Sequence, residues 1–325
     1  MTGTNGAPMV EAKNLSTWFT AKAEFYGSKK GMIRAVDDVS LDIVKGEVLG
    51  LVGESGSGKT TLGRTLLFLE KPRSGSVLFE SRDLKGLKKR ELRALRRKMQ
   101  IIYQDPYSSL EARMDIGHII SEGLDIHRIG TKNERREKVA ELLTVVGLVP
   151  QYAERYPHEF SGGQRQRISI ARALALDPDF IVADEPVSAL DVSVRAQIIN
   201  LLMDLKEEFH LTMLFISHDL SVVEHISDRV AVMYLGRLME LARKETLFRE
   251  SAHPYTQALM NAVPAPNPKN RTGFKVLPGD IPSPMNPPSG CVFRTRCPMA
   301  IRECAATVPP LRELHPGHHV ACIRA

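Results

Sequence analysis

The stretch Gly53-Glu54-Ser55-Gly56-Ser57-Gly58-Lys59-Thr60, followed by Thr61, decides the fold class. It fits the pattern of a glycine, four residues, then Gly-Lys-Ser/Thr without exception. An apolar run, Val48-Leu49-Gly50-Leu51-Val52, leads into it, and a helical segment, Thr60 to Phe68, follows. Glycines here let successive backbone N–H groups close round phosphate oxygens, and the start of a helix adds a favourable dipole. Lys59 would bring a point charge to the β- and γ-phosphates of a nucleotide, and the Thr60 hydroxyl would coordinate Mg²⁺. Strand, glycine-rich turn and helix in that order predict an α/β domain of the P-loop NTPase kind.

Such a phosphate loop needs an acidic partner to hold Mg²⁺ and position the attacking water. Phe180-Ile181-Val182-Ala183-Asp184-Glu185 is an apolar strand ending in two carboxylates. Asp184 would anchor Mg²⁺, and Glu185 would act as general base on the water. Other short apolar runs, Ser40 to Ile43 and Thr212 to Ile216, read as strands, as does Met9 to Phe19. Residues 85–98, 132–146 and 193–209 read as helices, the last on apolar residues three to four apart. Strands alternating with helices argue for a largely parallel sheet.

Ser161-Gly162-Gly163-Gln164 lies 23 positions before Asp184 and resembles the signature motif of ABC ATPases. Gln104, in Tyr103-Gln104-Asp105-Pro106, Ser188-Ala189-Leu190-Asp191 and His218 are similar to that family's Q-loop, D-loop and H-loop, and they come in the family's order. Phe160 stands where the family usually has Leu. The resemblance spans residues 9–260. It implies a RecA-like core with a β-subdomain and a helical subdomain at about 105–175, and a head-to-tail dimer with each ATP between one chain's P-loop and the other's signature. Ser161 and the backbone of Gly162 and Gly163 would then reach the γ-phosphate bound by the partner. His218 would contact the same phosphate from the near side, and Gln104 would sense Mg²⁺ or water. An aromatic near the N-terminus would stack on adenine; Trp18, Phe19, Phe25 and Tyr26 all compete.

The second half of the chain narrows the resemblance. His253-Pro254-Tyr255-Thr256-Gln257-Ala258-Leu259 and Pro284 to Pro298 look like segments of the oligopeptide and dipeptide permease ATPases, closest to the OppF/DppF branch. Between them, eight prolines from 264 to 288 exclude a helix interior or a central strand. The expected division is therefore residues 1–260 as nucleotide-binding domain and 261–325 as a proline-rich linker with a small cysteine module. All four cysteines, 291, 297, 304 and 322, lie in that module. Their spacing lacks the tight pairing of a zinc ribbon. Four thiolates suit a [4Fe–4S] cluster, and Cys297 is followed by Pro298 as some cluster ligands are. The family resemblance points the same way. Zinc and four independent thiols stay open as alternatives; His315, His318 and His319, near Cys322, read first as exposed turn histidines, with substitute ligation the second reading.

Composition sets the compartment. The 325 residues are 43% hydrophobic and 25% charged, with a net charge of +6. No apolar run approaches the ~18 residues of a membrane span, and the first twenty residues lack the pattern of a secretory signal. The expectation is a chain on the cytoplasmic face of the inner membrane, held there by partners. The basic run from Lys85 to Lys98 reads as a solvated helix face rather than a nucleic-acid site. The family implies a second homologous ATPase subunit, two multi-span permease subunits and, indirectly, an extracytoplasmic peptide-binding protein. Import of nickel or another small solute is an alternative cargo. A soluble ABC ATPase acting on nucleic acid or ribosomes is the alternative from a different class; it usually carries two ATPase domains in one chain or a coiled-coil insertion, and neither is present here.

Overall fold

The computed structural model describes residues 7–21, 31–262 and 277–325. In chain order the elements are β1 (Pro8–Thr20), β2 (Met32–Val44), β3 (Val48–Val52), α1 (Lys59–Leu66), β4 (Ser74–Phe79) and β5 (Arg82–Asp83). Then come α2 (Lys89–Leu95), β6 (Met99–Ile102), α3 (Pro106–Ser109), α4 (Ile116–His127), α5 (Lys132–Val145), α6 (Gly162–Leu174), β7 (Phe180–Asp184), α7 (Val192–Glu208) and β8 (Thr212–Ile216). The chain closes with α8 (Leu220–Ile226), β9 (Arg229–Tyr234), β10 (Arg237–Arg243), α9 (Lys244–Glu250), α10 (Pro254–Asn261), α11 (Glu303–Ala306), β11 (Arg312–His315) and β12 (His318–Val320). Two compact units result, residues 1–85 with 217–325, and residues 86–216. Among the described residues, no helix is long and apolar enough to cross a membrane.

The first unit holds an antiparallel sheet in the order β2-β1-β4-β5 and a second run of strands in the order β11-β12-β10-β9-β3. β3 pairs parallel with β9, and β9 pairs antiparallel with β10. All five residues of β3 are buried, which suits a strand covered on both faces. The C-terminal hairpin is part of this structure, because β12 pairs with β10 through Glu240↔Val320 and Leu241↔His319. That join is polar at its centre. Glu240, fully buried, accepts hydrogen bonds from the Ala252 and His253 amides at 2.7 and 3.0 Å and lies 2.7 Å from His318 Nε2. A carboxylate in that position is tolerable only because each oxygen has a partner. His253 sits beside it as the cap of α10, its Nδ1 accepting from the Tyr255 amide at 3.0 Å. Burial pushes the His253 ring down to about 4, so it stays neutral and keeps the lone pair that the cap requires.

The second unit sets β8, β7 and β6 side by side, all parallel. Every residue of β7 and β8 is buried, and each large side chain among them contributes roughly 1.5–3 kcal/mol. Between β6 and β7 the ordered elements are helices. Thr131 and Glu134 start α5 with a reciprocal capping box, and Asp115 caps α4. The Arg172 guanidinium of α6 reaches the Ser109 carbonyl and ties α6 to the end of α3.

The helix expected over 85–98 is shorter. α2 covers only Lys89–Leu95, since Gly86 precedes its start and Met99 already belongs to β6. Leu95 is buried while its basic neighbours Lys89, Arg90 and Arg93 are exposed, the pattern of a solvated face. Prolines 264, 266 and 268 lie outside the described residues.

Candidate nucleotide site

In the first unit the phosphate loop leaves β3 through Gly53 and enters α1 at Lys59. Gly58 caps α1 with φ +103°, and a Cβ there would lie 1.9 Å from the Ala35 carbonyl oxygen, so no other residue fits. Lys59 is 5% exposed, and its ammonium donates to the Gly53 and Glu54 carbonyls at 2.8 and 3.0 Å. The side chain thus curls back over the loop it serves. Ser57 is buried, Ser55 and Gly56 are exposed, and Thr60 and Thr61 are half-buried on the first turn of the helix. Glu54 behaves differently from the rest. Its amide donates to the Tyr255 hydroxyl at 2.9 Å, and its carboxylate accepts two hydrogen bonds from Arg296 at 2.7 and 3.1 Å.

His218, also in the first unit, is exposed on the turn between β8 and α8. Two bonds shape that turn: the Ser217 amide donates to the Leu51 carbonyl at 3.2 Å, and the Asp219 amide to Ser217 Oγ at 3.0 Å. Trp18 carries the guanidinium groups of Arg34 and Arg73 at 4.8 and 4.6 Å from its ring centre. Phe19 is 37% exposed. Phe25 and Tyr26 lie outside the described residues.

In the second unit Asp184 ends β7 and is 2% exposed. Glu185 follows with φ +46°, a left-handed backbone that costs a residue with a full side chain roughly 1 kcal/mol or more. Its amide donates to the Ile216 carbonyl at 3.0 Å, which helps hold that conformation. The Glu185 carboxylate accepts from Gln104 Nε2 at 3.0 Å. Gln104 and Glu185, 81 positions apart in the chain, are thus brought together. Ser161 caps α6: Ser161 Oγ accepts from the Gln164 amide at 3.4 Å, and Gln164 Oε1 accepts from the Ser161 amide at 3.0 Å. A Cβ at Gly163 would meet Val194 Cγ1 at 2.4 Å, so this glycine lets α6 approach α7 closely. Ser161 and Gly162 are exposed at the helix start.

The four cysteines form no disulfide, and all four line one mostly apolar hollow together with Phe293 and Met299. Burial pushes the Cys291 and Cys297 thiols up. Among the described residues, no three His, Cys, Asp or Glu side chains are grouped so as to hold a metal ion. The suggested substitute ligand His318 is instead paired with Glu240, which the sequence reading missed. It also missed Tyr255 and Arg296, and no local signal marks either as a neighbour of Glu54.

Residues 36–188 match the family model described as ABC transporter, and residues 239–304 match the oligopeptide/dipeptide transporter C-terminal region. The oligopeptide transport ATP-binding protein AppF of Bacillus subtilis is 52% identical over 325 residues, 99% of each chain. A Brucella ovis protein named as a peptide import ATP-binding protein is 61% identical, over 93% of this chain and 95% of its own. This chain belongs to the ABC transporter ATP-binding proteins. The ABC ATPase also resembles the solved cassette MJ0796, a dimer in a post-hydrolysis state bound to ADP and Pi, with TM-score 0.64 and 31% identity. That match covers 73% of this chain and 99% of MJ0796. A P-loop NTPase cassette of α/β class is therefore the fold, and ATP hydrolysis, with ATP and Mg²⁺, is the activity of an ABC ATPase.

Proposed function

We propose that this ABC ATPase is the energy-coupling subunit of an importer for dipeptides or oligopeptides. It pairs head to tail with a second, homologous ATPase subunit on the cytoplasmic face of the inner membrane. Two multi-span permease subunits lie above the pair, and an extracytoplasmic peptide-binding protein delivers cargo to them. The observation that carries this reading is the match outside the cassette: residues 239–304 follow a region described for peptide transporters, and similarity to a peptide-transport ATPase runs the whole length. A strain lacking this chain should lose ATP-driven uptake of a labelled tripeptide. Unchanged uptake, with loss of nickel accumulation instead, would reassign the cargo.

The site residues take roles that their chemistry supports. The backbone from Gly53 to Thr61 would cradle phosphates. Lys59, now bonded to two carbonyls of its own loop, would exchange them for phosphate oxygens. Thr60, Gln104 and Asp184 offer a hydroxyl, an amide oxygen and a carboxylate, hard oxygen donors of the kind Mg²⁺ takes. Bound Mg²⁺ supplies neutralisation of the charge that develops on the transferring phosphoryl group. Glu185 would accept the proton of the attacking water, and the Gln104 amide, 3.0 Å away, would steady the carboxylate. Ser161 Oγ accepts its capping bond through a lone pair, so the hydroxyl proton is left to donate to a phosphate in the partner's site. The Gly162 and Gly163 amides at the same helix start would add to that donor set, with Gln164 holding Ser161 in place through the capping box. His218 would contact the γ-phosphate bound by its own chain.

The cysteine hollow is read as the seat of a [4Fe–4S] cluster, with zinc the other candidate. Such a cluster takes four thiolates; four thiols line the hollow, but no three of them are grouped to hold a metal in this structure, so loading would have to draw them together. Burial holds Cys291 and Cys297 protonated without metal, so loading would release protons. Protein purified without oxygen should hold about four iron and four labile sulfide per chain. Zinc at about one per chain, or no metal at all, would sink the cluster reading.

A further inference from the structure

The second residue of the phosphate loop is gripped by the cysteine module. Arg296 lies between Cys291 and Cys297, and its residue surface is only 7% exposed. Its NH1 and NH2 donate to the two carboxylate oxygens of Glu54 at 2.7 and 3.1 Å. A two-pronged guanidinium–carboxylate pair fixes orientation as well as distance, which a single contact does not. Behind the pair, Arg296 NH1 also reaches the Tyr234 hydroxyl at 3.5 Å, and the backbone that carries the side chain is fixed too. The Arg296 amide donates to the Phe293 carbonyl at 3.0 Å, and the buried Phe293 ring packs on Tyr234 and Tyr255, 5.3 Å from each centre. Tyr255 completes the grip by accepting the Glu54 amide at 2.9 Å.

Glu54 is thus tied at its side chain and at its backbone by residues from beyond the matched cassette region, and one of those ties spans 242 positions. A loop that binds phosphate through its amides depends on those amides being aimed before the nucleotide arrives. Fixing them beforehand removes ordering cost from the binding step. We infer that Arg296 is a positioning residue for nucleotide binding: acting through Glu54, it holds the start of the phosphate loop in its binding conformation. This rests on Gly53 to Thr60 being the phosphate loop. The bland alternative is that the pair only docks the cysteine module, which would affect stability and leave affinity alone.

The experiment titrates the full chain with a fluorescent ATP analogue and Mg²⁺, alongside thermal unfolding, for the unaltered protein, Arg296→Ala, Arg296→Lys and Tyr255→Phe. Arg296→Ala should weaken binding about tenfold, the loss expected for a charge-assisted pair. Arg296→Lys keeps the charge without the fork and should fall between the two. Tyr255→Phe removes only the acceptor for the Glu54 amide and should weaken binding about threefold, a single neutral hydrogen bond. Unchanged affinity in Arg296→Ala and Tyr255→Phe, or Arg296→Lys no better than Arg296→Ala, overturns the inference. If Arg296→Ala does not fold, the other two variants decide it by the same thresholds. Failure of the unaltered chain to bind the analogue would instead remove the phosphate-loop reading beneath it.

Discussion

Glu185→Gln is expected to bind MgATP as tightly as the unaltered chain and to lose steady-state hydrolysis by roughly 10²- to 10⁴-fold, the range for removing a general base. The amide is nearly isosteric, so Gln104 still has an oxygen to bond, and the left-handed backbone at this position need not change. What is lost is the ability to take a proton from water. Nucleotide binding rests on the phosphate loop, which the substitution does not touch. ATP should therefore accumulate on the assembled pair, holding it closed. Turnover within about threefold of the unaltered rate would take Glu185 out of the role of base; that is far less than base removal costs. Loss of binding together with hydrolysis would mean that the side chain acts on the ground state instead.

Ser161→Ala should lower hydrolysis by the assembled pair about a hundredfold, the scale of losing one donor to developing negative charge. ATP binding by the isolated chain should stay within about twofold, because no hydroxyl aimed at a partner's nucleotide contributes there. The substitution also removes the cap of α6, at a cost of about 1 kcal/mol. Ser161→Asp separates the two effects, since an ionised carboxylate keeps a capping acceptor and has no proton to donate. Stability should return in Ser161→Asp while hydrolysis stays low. Weakened ATP binding by the isolated Ser161→Ala chain would point to action within one chain and contradict the trans arrangement.

What could be read from the chain was whatever chemistry imposes at fixed spacing. The phosphate loop needs glycine where a Cβ would strike a carbonyl, as at Gly58, and that requirement is written in residue type. Buried parallel strands show as unbroken apolar runs, so Thr212 to Ile216 and Phe180 to Ala183 coincide with β8 and with all but the last residue of β7. Helix ends are weaker signals. The basic run 85–98 carried helical spacing, yet the glycine near its start, Gly86, and the strand after it left only Lys89–Leu95. Contacts made across long stretches of chain left no mark. Neither the fork between Arg296 and Glu54 nor the buried bond between Glu240 and His318 follows from any local pattern. The left-handed backbone of Glu185 is held in part by its bond to the Ile216 carbonyl in the next strand, which no composition reveals. Histidines near Cys322 suggested spare ligands; a carboxylate 78 positions away had already taken one of them.

The most direct test is to isolate tagged Glu185→Gln protein from native membranes in the presence of ATP and identify every chain that comes with it. Recovery of two multi-span membrane proteins and one further ATPase similar to this chain is the expected result. Recovery of ribosomal or DNA-bound proteins alone would contradict the importer, and would leave an ABC ATPase serving some other machine.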